Sequence, residues 1–260
     1  MKQRMSHRPR RIGQREWLPF ILHSSAVVLS GLLLFLGVFS GMAEKALGIL
    51  FMLLLMTLKV AFHEFGHAII AYRAGDYTVR SSGYLTLNIL RYSDPFTSIL
   101  LPGLIFIWSG IFLPGGAVYL NPALIDQKKK LWVDLGGIIM DILTLIALIF
   151  IAYATFPFGS KTYVALMSTA IYLSIGFILF NLLPIPPLDG YSALAELAPA
   201  RIREAMYRIR AQAGFMILMA VFFLARDLFG FLWEAARFLY TLTGLDLMFA
   251  YWGLQMIRLF

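Results

Sequence analysis

The stretch GILFMLLLMTLKVAFHEFGHAIIAY, residues 48–72, is a hydrocarbon-like run that carries a short polar island, His63-Glu64-Phe65-Gly66-His67. Its length and apolarity read as a membrane-crossing helix. On a helix, His63 and His67 are i and i+4 and lie one above the other on the same face, so two imidazoles can hold one metal ion. Glu64 sits about 100° round the helix from His63, beyond reach of that ion but within reach of a water held beside it, as a general base. Ionisable groups inside a bilayer cost at least ~2.5 kcal/mol each and persist where they face a cavity and work. The stretch therefore sets both the fold class and the place of the chemistry.

The rest of the composition agrees. The chain is 60% hydrophobic with mean hydropathy +0.78 and 14% charged, so most of it belongs in lipid. It contains no cysteine, which excludes disulfides, thiolate metal sites and a cysteine nucleophile. The histidines are His7, His23, His63 and His67, and His7 lies in a basic tail, so a third protein ligand must come from a carboxylate or from His23. The net charge of +8 is concentrated in the tail (Lys2, Arg4, Arg8, Arg10, Arg11, Arg15), in Lys128, Lys129 and Lys130, and in Arg201, Arg203, Arg208 and Arg210. In a membrane protein such clusters mark cytoplasmic loops. No fold able to read bases accompanies them, so nucleic acid is not expected as a partner. The tail lacks a small-residue cleavage site after a short apolar region, and no removable signal peptide is expected.

In chain order, residues 1–16 form a basic cytoplasmic tail, and 17–260 a single integral membrane domain with its core at about 47–199. Residues 17–39 span outward, 40–45 link, and 47–72 return, bringing the polar island to the cytoplasmic half. Residues 84–90 (YLTLNIL) alternate apolar and polar between turn-forming clusters and read as a short interfacial β segment. Residues 96–113 are apolar but interrupted by Pro102 and Gly103, with basic loops on both sides, which fits a re-entrant hairpin. Residues 132–156 span outward, 157–161 turn, and 162–183 span back. The returning helix ends in NLLPIPPLDG, residues 181–190, where three prolines in four positions cannot stay helical. Backbone freed at that depth is tolerated where it lines a polar cavity or is buried in protein, and Asp189 comes to the same side of the membrane as His63 and His67. A further spanning helix near 212–229 and an interfacial or second membrane helix complete the chain. The expected fold is thus an all-α polytopic membrane protein of five to six transmembrane helices, with a re-entrant hairpin and a short interfacial β segment.

HEFGH on a membrane helix followed by NLLPIPPLDG resembles the paired signature of the site-2 intramembrane metalloprotease family. The tracts GYLTLNILRY and LPGGAVYLNPAL are similar to a compact bacterial branch without PDZ or CBS modules. The resemblance implies a zinc metalloendopeptidase that cuts peptide bonds within or near transmembrane segments of membrane protein substrates. It implies one zinc ion per chain held by His63, His67 and Asp189, with Glu64 as the base and Asn181 as a polar contact to substrate. Two neutral imidazoles and a carboxylate leave an open position at which water can be activated. It also implies a multi-pass protein of a prokaryotic cell membrane with its N-terminus in the cytoplasm; nothing in the sequence assigns an oligomeric state.

One departure stands out. The family's Gly-Pro-x-x-Asn reads here Gly137-Ile138-Ile139-Met140-Asp141, and Lys59 sits one turn before His63 on its face. Asp141 is therefore a second candidate substrate contact, or a fourth ligand. Lys59 and Asp141 can also form a buried ion pair beside the metal; the alternative has Lys59 snorkelling and Asp141 facing water. Two rival functions remain in view: a catalytically silent zinc-binding membrane scaffold, and an ion or proton transporter using the His, Lys and Asp side chains.

Overall fold

The computed structural model describes residues 14–88, 120–224 and 226–257. The start of the basic tail, the end of the expected β segment and the re-entrant hairpin expected at 96–113 lie outside them. Among the described residues the protein is helical throughout: α1 (Gln14–Phe35), α2 (Gly41–Ala74), α3 (Thr78–Ser81), α4 (Lys130–Asp134), α5 (Gly136–Thr155), α6 (Lys161–Asn181), α7 (Asp189–Leu197), α8 (Ala200–Leu224), α9 (Arg226–Thr241) and α10 (Leu247–Ile257). Four helical stretches there are long and apolar enough to cross a membrane: Glu16–Phe35, Gly41–Ala74, Gln127–Thr155 and Lys161–Asn181. This is a membrane protein.

Helix α2 begins earlier than the sequence suggested, absorbing the expected linker from Gly41 onward, with Ser40 extended at its cap. At 34 residues it is about 51 Å long, well beyond the ~30 Å hydrocarbon core, so it must tilt or protrude. Helix α6 lies at the centre, 89% of its apolar window buried against 22–50% in the other three spans. Two of its buried hydroxyls bond to backbone carbonyls: Ser174 to Ala170 (2.6 Å), and Thr169 to Ala165 of its own helix (2.9 Å) and to Ala250 of α10 (2.8 Å).

Helix contacts define two ends of the bundle. At one, the amide of Ser160 bonds to the Phe35 carbonyl and its hydroxyl to the Leu34 carbonyl, tying the end of α1 to the start of α6. At the other, the second half of α2 meets α4, the start of α5 and the end of α6. The α2/α5 crossing there is backbone to backbone. A Cβ on Gly66 would lie 2.8 Å from the Gly136 carbonyl carbon, and one on Gly136 would lie 2.6 Å from the Gly66 oxygen, so only glycine permits the approach.

Three expectations are corrected. The residues read as a β segment form a 3₁₀ turn at Tyr84–Thr86, because Gly83 (φ 79°) and Leu87 (φ 54°) on either side adopt left-handed conformations that reverse the chain. Among the described residues there is no strand. The span expected over 132–156 matches the helical stretch Gln127–Thr155, in which Leu135 is the junction of α4 and α5. The basic loop expected at 201–210 is the first half of α8, and residues 226–229, read as the end of that span, open α9. Arg, Ala, Met and Glu are strong helix formers, and nothing in Arg201–Arg210 breaks a helix.

Candidate metal centre

His63 and His67 project from one face of α2, as their spacing requires, with ring centroids 4.9 Å apart. Each ring is held from behind through Nδ1. His67 Nδ1 is 2.7 Å from the Val133 carbonyl in α4, and since a carbonyl only accepts, that nitrogen carries the proton. His63 Nδ1 is 2.7 Å from Asp141 Oδ2 on α5 and donates to the carboxylate. Both Nε2 atoms are thereby turned to the same point, 3.2 Å from each other. Phe177 of α6 packs edge-on against His63, with centroids 5.5 Å apart.

Asp189 arrives from the opposite direction. Pro184, Pro186 and Pro187 lack the amide protons a continuing α6 would need, so the chain turns after Asn181 and restarts as α7 at Asp189. A Cβ on Gly190 would lie 2.8 Å from the Leu183 oxygen and 2.5 Å from the Leu182 carbonyl carbon. Only glycine lets the new helix start folded against the end of the old one, which fixes where Asp189 points. Its Oδ2 lies 3.2 Å from His63 Nε2 and 3.3 Å from His67 Nε2.

Those three atoms form a nearly equilateral triangle. Ligands about 2.0–2.1 Å from a tetrahedral zinc stand roughly 3.3–3.4 Å apart, so the triangle has the size such an ion requires. Asp189 Oδ2 is buried and has no hydrogen-bond partner among the described residues. An ionised oxygen facing two imidazole nitrogens calls for positive charge at the centre. Room for it is left by Gly137: a Cβ there would fall 2.5 Å from His63 Cε1, 2.6 Å from His63 Nε2 and closer still to His67 Nε2. The residues present therefore fit a zinc ion, and His63, His67 and Asp189 form the acid and imidazole group among the described residues whose ligand atoms converge in this way.

The other candidates stand as follows. Glu64 is buried on α2, between the two histidines in sequence. Asp141, a candidate substrate contact or fourth ligand, is fully buried and turned to the Nδ1 side of His63, away from the converging Nε2 atoms. Lys59 is buried with it, Nζ 3.8 Å from Asp141 Oδ1. Asn181 is 3% exposed, and its Nδ2 donates to the Phe177 carbonyl of its own helix (3.2 Å). His23 is engaged elsewhere, 2.9 Å from the Leu54 carbonyl and 3.1 Å from Thr57 Oγ1. Reading the sequence missed the Val133 carbonyl and the roles of Gly66, Gly136 and Gly137. The adjacent pair Gly136-Gly137, opposite a glycine inside HEFGH, was the available signal.

Fold and centre together define a membrane protein with a candidate divalent-cation site built from two histidines and an aspartate. Comparison with known proteins gives the class its name. Two relatives carry the name "Putative zinc metalloprotease Rip2": that of Mycolicibacterium smegmatis is 35% identical over 164 residues, 63% of each chain, and that of Mycobacterium tuberculosis strain H37Rv is 33% identical over 189 residues, 72% of each. A third, named "Putative zinc metalloprotease YwhC", of Bacillus subtilis strain 168, is 32% identical over 177 residues, 65% of this chain and 79% of its own. No family model matches the chain, and no solved structure matches it significantly. The chain belongs to the site-2 zinc metalloprotease family. The match spans 63% of the M. smegmatis relative's length.

Proposed function

We propose that this protein is an intramembrane zinc endopeptidase that hydrolyses peptide bonds within or near the transmembrane segments of other membrane proteins, with one zinc ion per chain. The observation that carries this reading is the triangle of His63 Nε2, His67 Nε2 and Asp189 Oδ2, with edges of 3.2 to 3.3 Å. These residues would hold the ion through three protein ligands and leave a fourth position open, the arrangement of catalytic rather than structural zinc. When bound, zinc supplies a Lewis acid that polarises a carbonyl oxygen and acidifies water.

The chain's own groups do the rest. Glu64, one residue after the first ligand, takes a proton from the attacking water and returns it to the leaving amine. Val133 and Asp141 hold the imidazoles in the tautomer that presents Nε2. Asn181, on the helix end leading into the Asp189 turn, is the proposed polar contact to the scissile peptide. A substrate helix has its amides bonded internally, so it must unwind locally before a carbonyl can enter. The concentration of Lys and Arg in the tail, at 128–130 and at 201–210 supports a multi-pass chain with a cytoplasmic N-terminus, and the bacterial relatives support a prokaryotic cell membrane.

The test is Glu64→Gln in the full-length protein, assayed on single-pass membrane substrates alongside zinc analysis. Cleavage should fall by at least ~10²-fold with zinc retained. A scaffold would be indifferent to the change. Ion flux in proteoliposomes without cleavage would favour a transporter.

A further inference from the structure

We infer that Asp141 and Lys59 are positioning residues that set the His63 imidazole for the metal, as a three-member chain running Lys59, Asp141, His63; the inference rests on the zinc reading of the site. Asp141 uses both oxygens. Oδ2 lies 2.7 Å from His63 Nδ1, and Oδ1 lies 3.8 Å from Lys59 Nζ, within ion-pair reach and beyond hydrogen-bond length. All three residues are buried: Asp141 is 0% exposed, His63 4% and Lys59 5%.

The charges explain why an unusual pair of residues occurs together. A lone carboxylate or ammonium at this depth would carry a desolvation cost of several kcal/mol, whereas opposite charges offset one another. Neither Lys59 Nζ nor Asp141 Oδ1 has a hydrogen-bond partner among the described residues, so the opposite charge is what compensates these two atoms. An Asn at 141 could accept the His63 proton, but it would give the ring no negative charge and would leave Lys59 uncompensated. Asp at 141 therefore requires a cation nearby, and α2 supplies it one turn before the ligand it serves.

The consequence falls on His63. A carboxylate accepting from Nδ1 fixes the tautomer and the ring plane, and makes Nε2 a stronger donor to a metal. His67, held by the neutral Val133 carbonyl, lacks that reinforcement. The two imidazoles are unequal ligands, and His63 is the stronger.

The test uses the full-length protein in detergent, with zinc affinity measured by chelator competition, the visible spectrum of the cobalt-substituted protein, and the Tm of the metal-free form. The variants are Lys59→Met, Asp141→Asn, Lys59→Met/Asp141→Asn and Lys59→Met/Asp141→Ala. The Asn double variant keeps an acceptor for His63 and has no uncompensated charge; it should fold, keep the cobalt spectrum and bind zinc within about tenfold of wild type. The Ala double variant loses the acceptor and should bind zinc about 10–100-fold more weakly, with an altered spectrum. Each single variant should melt below the Asn double variant. Unchanged zinc affinity with Ala at 141, or Tm losses that simply add, would overturn the inference while leaving the zinc site standing. A wild-type protein that binds no zinc would overturn the site reading and this inference with it.

Discussion

The two ends of the helical bundle are built to different tolerances. At the metal end, α2 and α5 touch through glycine backbone at Gly66 and Gly136, and Gly137 leaves no room for a methyl group beside the imidazoles. At the other end, the same two helices and α1 and α6 line an open apolar cavity of about 360 Å³, walled by Val27, Gly31, Phe35, Leu55, Leu148 and Met167. Within a bilayer such a groove costs little, since lipid chains are as apolar as the side chains around them. The metal end has no such freedom: three ligand atoms on α2 and α7 must meet to within tenths of an ångström, and the supports behind them come from α4 and α5. At the metal end the close approach of backbones holds a geometry that has chemical work to do.

That contrast can be broken by substitution. Gly137→Ala should have the largest effect, because the new methyl would displace both imidazoles; zinc should be lost from the purified protein, and retention at wild-type affinity would contradict the crowding described. Gly66→Ala should come next, forcing α2 and α5 apart at a cost of about 1–3 kcal/mol, with a lower Tm and zinc binding weakened at least about tenfold. Gly253→Ala, where a Cβ would lie 2.5 Å from the Ala165 oxygen and 2.8 Å from its carbonyl carbon, should lower the Tm through a similar loss, because α10 must lift from α6, yet leave zinc affinity unchanged. Val28→Leu, a 68% exposed residue on the open cavity, should alter stability by no more than about 0.5 kcal/mol and leave zinc binding untouched. Equal sensitivity at Val28 and Gly66 would erase the distinction between the two ends.

The sequence made the metal end legible through residues whose types are restricted. His63 and His67 announce themselves by i, i+4 spacing, and Asp189 by the prolines that stop α6 just before it. The apolar runs likewise marked the spans, although Ser40 and Gly41 gave no sign that α2 would start so early. The supports were harder to read. Any residue type at 133 offers a backbone carbonyl, so its bond to His67 leaves no trace in composition. The pairing of Lys59 with Asp141 was suggested by charge, while the bond from Asp141 to His63 depended on how α5 crosses α2, which periodicity does not encode. The false β segment shows the converse: alternation over YLTLNIL imitated a strand, and the left-handed residues Gly83 and Leu87, one of them a non-glycine, bent it into a turn.

The most direct test of the account is the zinc content and affinity of the purified full-length protein beside its Asp189→Ala variant. If three side chains from two helices close on one cation, the wild type should hold one zinc per chain, and the variant, left with two imidazoles, should bind it at least about 100-fold more weakly. A wild-type protein without zinc, or a variant that binds it as tightly as wild type, would contradict that claim.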